Sequence, residues 1–489
     1  MKRNAFLALG IIGAVIMSGG CKGRERAAAQ PDGSEGAMRS ITVSCYDSMA
    51  YKNFLDMAAK AFTEKYPGTT VTIETFSAMP EVKTSENGDG KMILVQRQDD
   101  TQSRNDYINR INTSLMSGGG ADIFAADILP LHTYVESGWL ENLDAFITGD
   151  NAFNMADVRG NIIDASRYNG GLYVMPIDYS FQYFAYDGTL LQGAITAGFG
   201  TDSAFTSSDL IENAAPLFDG SAKIFNLYDF SPDGMIKTMW NERYTSFIDL
   251  EKKRANFTGG EFAAMLTTIR EYGDKSYIPH AVSRQDTAER IRQAGQQATG
   301  RYFFKPYGNF SLLSQFGRAF GRTRMMGTAG GAKGIADDDE IAGIAAREDG
   351  TVPYTFGNAF CINANSKNKH TAWEFIKFLL TEDMQMVTSS PNPEPLPLNN
   401  AARVKKAELA FSDMLMGRAA ELDEKQRAAL AAYIEAVEWL SDRISAYTFQ
   451  DTVINDMLAA EIRYFADGSR SAEEVARVLQ NKAELYLNE

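Results

Sequence analysis

Three histidines, His132, His280 and His370, are scattered along the 489 residues, and none stands at H-E-x-x-H spacing. Two-histidine zinc chemistry on one helix face therefore has no ligand set. No G-x-S-x-G elbow occurs. Ser366-Lys367-Asn368-Lys369 matches the S-x-x-K of acyl-transfer enzymes, but neither S-D-N nor K-T-G accompanies it. Its better reading is the loop and N-cap of a helix around Trp373. Gly327 through Gly334 approaches a phosphate-cradling loop, yet Ala332 stands where a second Gly is required, and no Ser or Thr follows Lys333. Asp337-Asp338-Asp339-Glu340 gathers four acids without the Gly and terminal Glu of a calcium loop, so it reads as a solvated run. Paired-carboxylate hydrolysis needs only two acids at a set separation, and 63 Asp and Glu leave that chemistry open. Two of those acids, Asp47 and Asp127, stand out because each follows a predicted strand.

Those strands come from alternation. Ile41–Tyr46 and Val71–Phe76 are β-rich, and between them Leu55, Ala58, Phe62 and Tyr66 recur at helical spacing up to Pro67-Gly68. This β-α-β order favours parallel pairing with a right-handed crossover. A polar excursion from Glu86 to Asp100 precedes a helix marked by Ile108, Ile111 and Leu115. Ala121–Asp127 then reads as a short buried strand, and Leu131–Leu140 as a helix closed by Gly138. The second half is more helical: Met265, Ile269 and Tyr272 share a face, as do Trp373, Ile376 and Leu380, and Ser471 with Glu474 forms a capping box. Gly327–Asp339 breaks both periods and reads as a loop. Alternation of strand and helix predicts open α/β sheets, whose ligands gather beyond the strands' carboxyl ends. Asp47 and Asp127 project toward that edge.

Composition narrows the class. Charged residues are 23% and hydrophobic residues 44%, which is globular rather than disordered. A net charge of −15 argues against nucleic acid, whose phosphates need a Lys/Arg surplus. Lys2 and Arg3 precede an apolar run, Phe6–Met17, that is shorter than the ~20 residues a spanning helix needs. Ser18-Gly19-Gly20-Cys21 ends it as a lipoprotein cleavage signal, with Cys21 as the lipidated residue. Residues 1–20 are then a signal peptide, and 21–38 a flexible tether. Cleavage removes Lys2 and Arg3 and takes the net charge to −17. The expected location is extracytoplasmic, lipid-anchored to the cell membrane, where ATP-dependent chemistry has no supply. Cys45 and Cys361 fall on predicted strands and read as buried thiols, since a bridge requires Cα atoms within ~7 Å.

Several stretches resemble the bacterial extracellular solute-binding proteins of sugar-type ABC transporters. NFLDMAAKAFTEKYPGTTVTIE resembles the family's first β-α-β, and ADIFAADILPLHTYVESGWLENLDAFI its strand, loop and helix. YNGGLYVMPIDYSFQYFAYD is similar to its first lobe-to-lobe crossing. FIDLEKKRANFTGGEFAAMLTTIREY looks like a helix-loop-helix of these proteins. AFCINANSKNKHTAWEFIKFLL resembles the strand and helix after the second crossing, and SAEEVARVLQNKAELYLNE the terminal helix. The resemblance implies an α/β, two-lobed periplasmic-binding-protein fold of type II, with two discontinuous lobes joined by a hinge. The first lobe maps to 39–175 plus 352–392, and the second to 176–351 plus 393–489.

It also implies capture of a carbohydrate, an oligosaccharide in the first instance, by a monomer that passes it to ABC permease subunits, with no cofactor. A ligand-sensing lipoprotein serving a sensor kinase, or a carbohydrate-active enzyme, are the alternatives. Sugars present hydroxyls and apolar C–H faces, so their sites combine carboxylates or amides with aromatic rings. The candidates are Tyr46, Asp47 and Asp127 at strand ends, Asp178 and Tyr179 in the crossing, Trp240, and Phe356 with Asn358 before the AFCIN strand. Each has a structural competitor. Asp47 and Asp127 suit helix caps, and Asp178 suits pinning of the hinge backbone. Trp240, near Met235, Ile236 and Met239, suits a core, as do Tyr179 and Phe356. Tyr46 and Asn358 suit local packing or a turn.

Overall fold

The computed structural model describes residues 40–46, 49–76, 82–87, 90–95, 101–191, 198–226, 234–278, 301–309, 312, 316, 339–387, 395–414, 422–448 and 451–488. The cleavage signal with Cys21, the tether, Asp47, His280 and the glycine-rich stretch up to Asp338 lie outside the described residues.

Ten strands form two mixed five-stranded sheets. In chain order they are Ile41–Tyr46 (β1), Val71–Phe76 (β2), Ile123–Ala125 (β3), Met175–Pro176 (β4), Gln182–Asp187 (β5), Ala204–Phe205 (β6), Lys223–Phe225 (β7), Tyr302–Gly308 (β8), Asp339–Ala345 (β9) and Ala359–Ile362 (β10). The first sheet runs β2-β1-β3-β10-β4, and the second β7-β8-β5-β9-β6. The expected β-α-β is present, with β1 parallel to β2 from Ile41↔Val71 to Tyr46↔Phe76. β10 joins antiparallel to both β3 and β4, so a strand from late in the chain closes the sheet begun at residue 41.

The helices that matter to the site are Met49–Lys65 (α1), Thr101–Met116 (α2), Leu131–Glu136 (α3), Gly234–Phe247 (α4), Lys369–Leu379 (α5), Asn400–Met414 (α6), Glu424–Asp442 (α7), Thr452–Ala466 (α8) and Ala472–Asn488 (α9). Period-two alternation sorts the first sheet between two helical layers. Val43 and Cys45 point into one cluster with Phe54, Leu55, Ala58 and Phe62 of α1 and with Trp373, Phe375 and Ile376 of α5. Phe62 meets Phe375 edge to face at 5.2 Å. Tyr46, Phe124 and Cys361 point the other way, onto Tyr107, Ile111 and Leu115 of α2 and Leu131 and Tyr134 of α3. Each large side chain removed from water in this way contributes roughly 1.5–3 kcal/mol. The second sheet packs on α4, α8 and α9, and the capping box opens α9 as expected: the Ser471 N–H donates to Glu474 Oε2 at 2.8 Å, and the Glu474 N–H to Ser471 Oγ at 3.2 Å.

One feature differs from the reading of the sequence. Within the polar excursion lies a hairpin, Val82–Asn87 paired antiparallel with Gly90–Val95. Its β-rich half, Met92–Val95, is masked in sequence by the acids and turn residues around Asn87 and Gly90. The cluster under α1 and α5 also continues through Leu396, Leu398, Ala407, Phe411, Tyr433, Val437 and Leu440. This cluster takes in residues of both expected lobes. Ser366 meanwhile serves the turn before α5: its hydroxyl donates to Asp122 and accepts the Asn368 N–H at 2.9 Å.

Cys45 and Cys361 are both fully buried, with no disulfide between them, and they lie on opposite faces of one sheet. Non-reducing peptide mapping of the protein is expected to find both as thiols. A bridged Cys45–Cys361 peptide would require a different strand register.

Candidate functional site

Three stretches of chain pass between the two sheets, and the candidate residues cluster where they do. The first, Ile177–Phe181, links β4 to β5; the second, 346–358, links β9 to β10; the third, around Ala446–Tyr447, leads from α7 to α8. Asp178–Tyr179 pairs antiparallel with Leu396–Pro397, and Pro353–Tyr354 pairs parallel with Ala446–Tyr447. Ser180 and Thr355 exchange backbone hydrogen bonds at 2.7 and 2.9 Å, tying the first passage to the second.

Asp178 fastens this junction. Its Oδ1 accepts the N–H groups of Gly357 at 2.7 Å and Asn358 at 2.9 Å, and its Oδ2 accepts the Asn358 side-chain amide. A Cβ at 357 would fit tightly, 3.1 Å from Pro395 Cγ and 3.3 Å from the Asp178 carboxylate. Burial pushes the Asp178 carboxyl up to about 6, against the pull of the Asn358 side chain, the two backbone amides and the charge of Lys406. Lys406, on α6, is itself lowered to about 8 by burial. Tyr179 is fully buried, its hydroxyl donating to Ser441 Oγ at 3.1 Å. Asp178, Asn358 and Tyr179 thus hold backbone and core.

Asp127 has a different setting. It follows β3 in a turn anchored by the Ala126 N–H on the Ala359 carbonyl at 2.9 Å. Its side chain is open to solvent, yet enough protein surrounds it that desolvation raises the carboxyl from 3.8 to about 6. The residue is exposed overall while protein crowds its carboxyl, so water still reaches that group in part. That remaining water makes the energetic cost smaller than for a sealed carboxylate. Among the described residues no side chain pairs with it.

Aromatic rings border Asp127. The phenols of Tyr107 and Tyr447 both lie within reach of its charge, which adds to the rise that burial imposes on them. Tyr447, on the third passage, stacks face to face on Phe356 of the second, with centroids 4.6 Å apart and planes 1° from parallel. Both are half-buried, so part of the stack is open. On the other side Tyr46, Phe76 and Tyr107 form a triangle with centroid distances of 5.8–6.4 Å. Ser44 Oγ lies 3.3 Å from the Tyr107 hydroxyl.

The structure therefore brings Tyr46, Asp127 and Phe356 to one edge of the first sheet. Trp240 is elsewhere. It is 2% exposed in the core of the second sheet, stacked on Phe247 and Phe257, with its Nε1 donating to Asn455 Oδ1 at 2.8 Å. The indole expected as a stacking platform is core, because it lies on the buried stripe Ile236, Trp240, Tyr244 and Phe247 of α4, while Asn241, Thr245 and Ser246 take the exposed side. Tyr447, Phe76 and Tyr107 were not among the sequence candidates. Tyr107 has a signal in the helical stripe with Ile111, and Tyr447 only a short β-like run after a long helix. Among the described residues no group of His, Cys, Asp and Glu is arranged to hold a metal ion. An acceptor-only carboxylate beside partly open ring faces is suited to hydroxyl groups and C–H surfaces.

Residues 84–408 match the family described as bacterial extracellular solute-binding protein. The chain belongs to that family. Among solved structures, the solute-binding protein is similar to an extracellular solute-binding protein family 1 member from Alicyclobacillus acidocaldarius, with a TM-score of 0.54, 14% identity, and 93% of this chain and 100% of that one covered. It is also similar to an ABC substrate-binding protein from Listeria monocytogenes in complex with cycloalternan, with a TM-score of 0.51, 16% identity, and coverage of 92% and 100%. A cyclic alpha-maltosyl-1,6-maltose binding protein from Arthrobacter globiformis gives a TM-score of 0.52 at 14% identity, with 92% and 99% covered. The shared architecture is the two-lobed α/β fold of periplasmic binding proteins.

The raised Asp127 carboxyl makes the stability of the solute-binding protein depend on pH. A folded-state value near 6 against an ordinary 3.8 means that stability falls as pH rises through that interval and stays reduced above it. Asp127→Asn is expected to raise the thermal midpoint at pH 7.5 and to lose that advantage below pH 4. Identical midpoints for the two proteins at pH 7.5 would show that the carboxylate is not desolvated.

Proposed function

We propose that the protein is a lipid-anchored extracytoplasmic receptor that captures a carbohydrate and delivers it to an ABC permease. The observation that carries this reading is the unpartnered, solvent-open Asp127 carboxylate beside the Phe356–Tyr447 stack, at the carboxyl edge of the first sheet. In the reading, Asp127 accepts two sugar hydroxyls as charge-assisted bonds, and the open ring surface takes the C–H face. Tyr46 packs with Phe76 and Tyr107 at the same sheet edge. Binding without turnover is favoured because Asp178, the other raised carboxyl of the junction, is committed to three donors. Relatives named for oligosaccharide ligands, including cycloalternan and cyclic maltosyl-maltose, support a carbohydrate rather than a peptide. The sequence around Cys21 supports membrane attachment through a thioether-linked diacylglycerol, and the family supports hand-over to a permease.

The decisive experiment is a thermal-shift screen with mono- and oligosaccharides, polyols, peptides and amino acids. A bound solute raises apparent stability by RT ln(1 + [L]/Kd), about 2.7 kcal/mol at a hundredfold excess over Kd. An oligosaccharide is expected to shift the wild type and to shift Asp127→Ala far less; a response to peptides alone would overturn the carbohydrate reading. For the anchor, radiolabelled palmitate should enter the wild-type precursor and not Cys21→Ala, and equal labelling of the two would remove lipidation from the proposal.

A further inference from the structure

Among the described residues three arginines are almost wholly buried: Arg159, Arg347 and Arg403, each 6% exposed. Two of them have carboxylate partners. Arg159 pairs with Glu438 and Asp442, and Arg403 Nε donates to Glu438 Oε1 at 2.8 Å. Arg347 differs. Among the described residues its guanidinium makes no hydrogen bond and no ion pair. The charge of Asp349 lies within reach, but that carboxylate is already engaged. Its Oδ1 accepts the Thr351 N–H at 2.9 Å and the Thr351 hydroxyl at 2.6 Å, and its Oδ2 accepts the Thr245 hydroxyl at 2.9 Å.

A guanidinium offers five N–H donors and no acceptor, in a planar fork that matches a carboxylate or phosphate through parallel bonds. Taking that fork out of water without an acceptor is costly. Arg347 Nε is sealed from solvent and unbonded. The two terminal nitrogens are unbonded but not sealed, so the end of the fork still reaches open space.

The position of this fork ties it to the solute site. Arg347 stands near the start of the second passage, which carries Phe356 further on. Its N–H donates to the Thr351 carbonyl at 2.8 Å, and its carbonyl accepts the Gly350 N–H at 3.0 Å, so residues 347–351 fold back as a turn. The next residue, Val352, accepts the N–H groups of Ser445 and Ala446 at 3.0 and 3.2 Å. Two positions later Tyr354 pairs with Tyr447. The turn is thus fastened to the third passage beside the Phe356–Tyr447 stack. Tyr244 of α4 has its phenol within reach of the Arg347 charge, and its hydroxyl accepts the Asp451 N–H at 3.1 Å. Asp451 lies four residues beyond Tyr447 on that same third passage.

We propose that Arg347 is a second recognition residue of the solute site, one that takes an oxyanion, and that the solute is therefore an acidic carbohydrate bearing a carboxylate, phosphate or sulfate group. The sugar part of this statement rests on the function proposed above; the acid part rests on Arg347. Asp127 and Arg347 do not pair with each other. They ask for complementary groups: the carboxylate accepts from hydroxyls, and the guanidinium donates to an acid. A solute that reaches both carries hydroxyls at one end and negative charge at the other.

The test has two parts. In the first, thermal shift compares each acid with its neutral parent: digalacturonate and trigalacturonate against galactobiose and galactotriose, and glucose 6-phosphate against glucose. Citrate and inorganic phosphate are the arms without sugar, and the uronate and phosphate arms separate the two kinds of acid. In the wild type an acidic sugar is expected to bind roughly tenfold or more tightly than its parent, and Arg347→Met should abolish that preference. The second part needs no solute. With none added, Arg347→Met should keep or raise the thermal midpoint, whereas Arg159→Met, which breaks the pairs with Glu438 and Asp442, should lower it. A screen in which no acidic sugar outbinds its parent in the wild type, or a loss of midpoint in Arg347→Met as large as in Arg159→Met, overturns the assignment. Binding of neutral sugars alone would remove the acid and leave the carbohydrate reading. Binding of citrate or phosphate alone, lost in Arg347→Met, would remove the carbohydrate reading and leave Arg347 as an oxyanion site.

Discussion

The arrangement depends on one buried carboxylate. Asp178 gathers two backbone amides and one side-chain amide from Gly357 and Asn358, and so binds the first passage between the sheets to the second. Losing that carboxylate strands two N–H groups at a crowded junction, at a cost of roughly 1–3 kcal/mol for each unsatisfied group. A Cβ at residue 357 would crowd this approach, at 3.3 Å from the carboxylate. Phe356 precedes this knot directly, so the knot sets the plane on which Tyr447 stacks. Lys406 supplies a positive charge within reach and keeps the carboxylate from standing alone in a low-dielectric setting.

Much of the frame can be read from the sequence because it is local. Alternation in Ile41–Tyr46 and the three-and-four spacing of Leu55, Ala58 and Phe62 specify β1 and α1 without any distant contact, and Ser471 with Glu474 specifies the start of α9. Asp127 is legible for the same reason, as the acid that follows a short buried strand. Tyr447 is not. Its strand is two residues long and its ring partner lies 91 positions earlier, on a different passage, so nothing in its own neighbourhood marks it. Trp240 misleads for the opposite reason: an indole after a turn looks available, and only the stack of Phe247, Phe257 and Phe262 around it shows that it is not.

The family resemblance places lobes and crossings but not the packing across them. Helices α6 and α7, placed with the second lobe in sequence, share one buried cluster with α1 and α5, and that cluster also takes in Tyr183, Ala185 and Ile344 from the second sheet. Pattern within a segment determines which face is apolar; it does not determine which of two bodies covers that face.

The site and the junction are therefore parts of one device. The ring surface beside Asp127 is assembled from two passages, and each contributes one member of the stack. Any rotation of one sheet against the other acts on Tyr447 and Phe356 together with the backbone that carries them. Asp127 bears a partly desolvated charge without a side-chain partner among the described residues, and in the function proposed above a hydroxylated solute would offset that cost. Under that proposal, solute binding would stabilise most the junction geometry in which the rings and the carboxylate converge. In a two-lobed receptor this differential contact is what allows a ligand to shift the balance between open and closed forms.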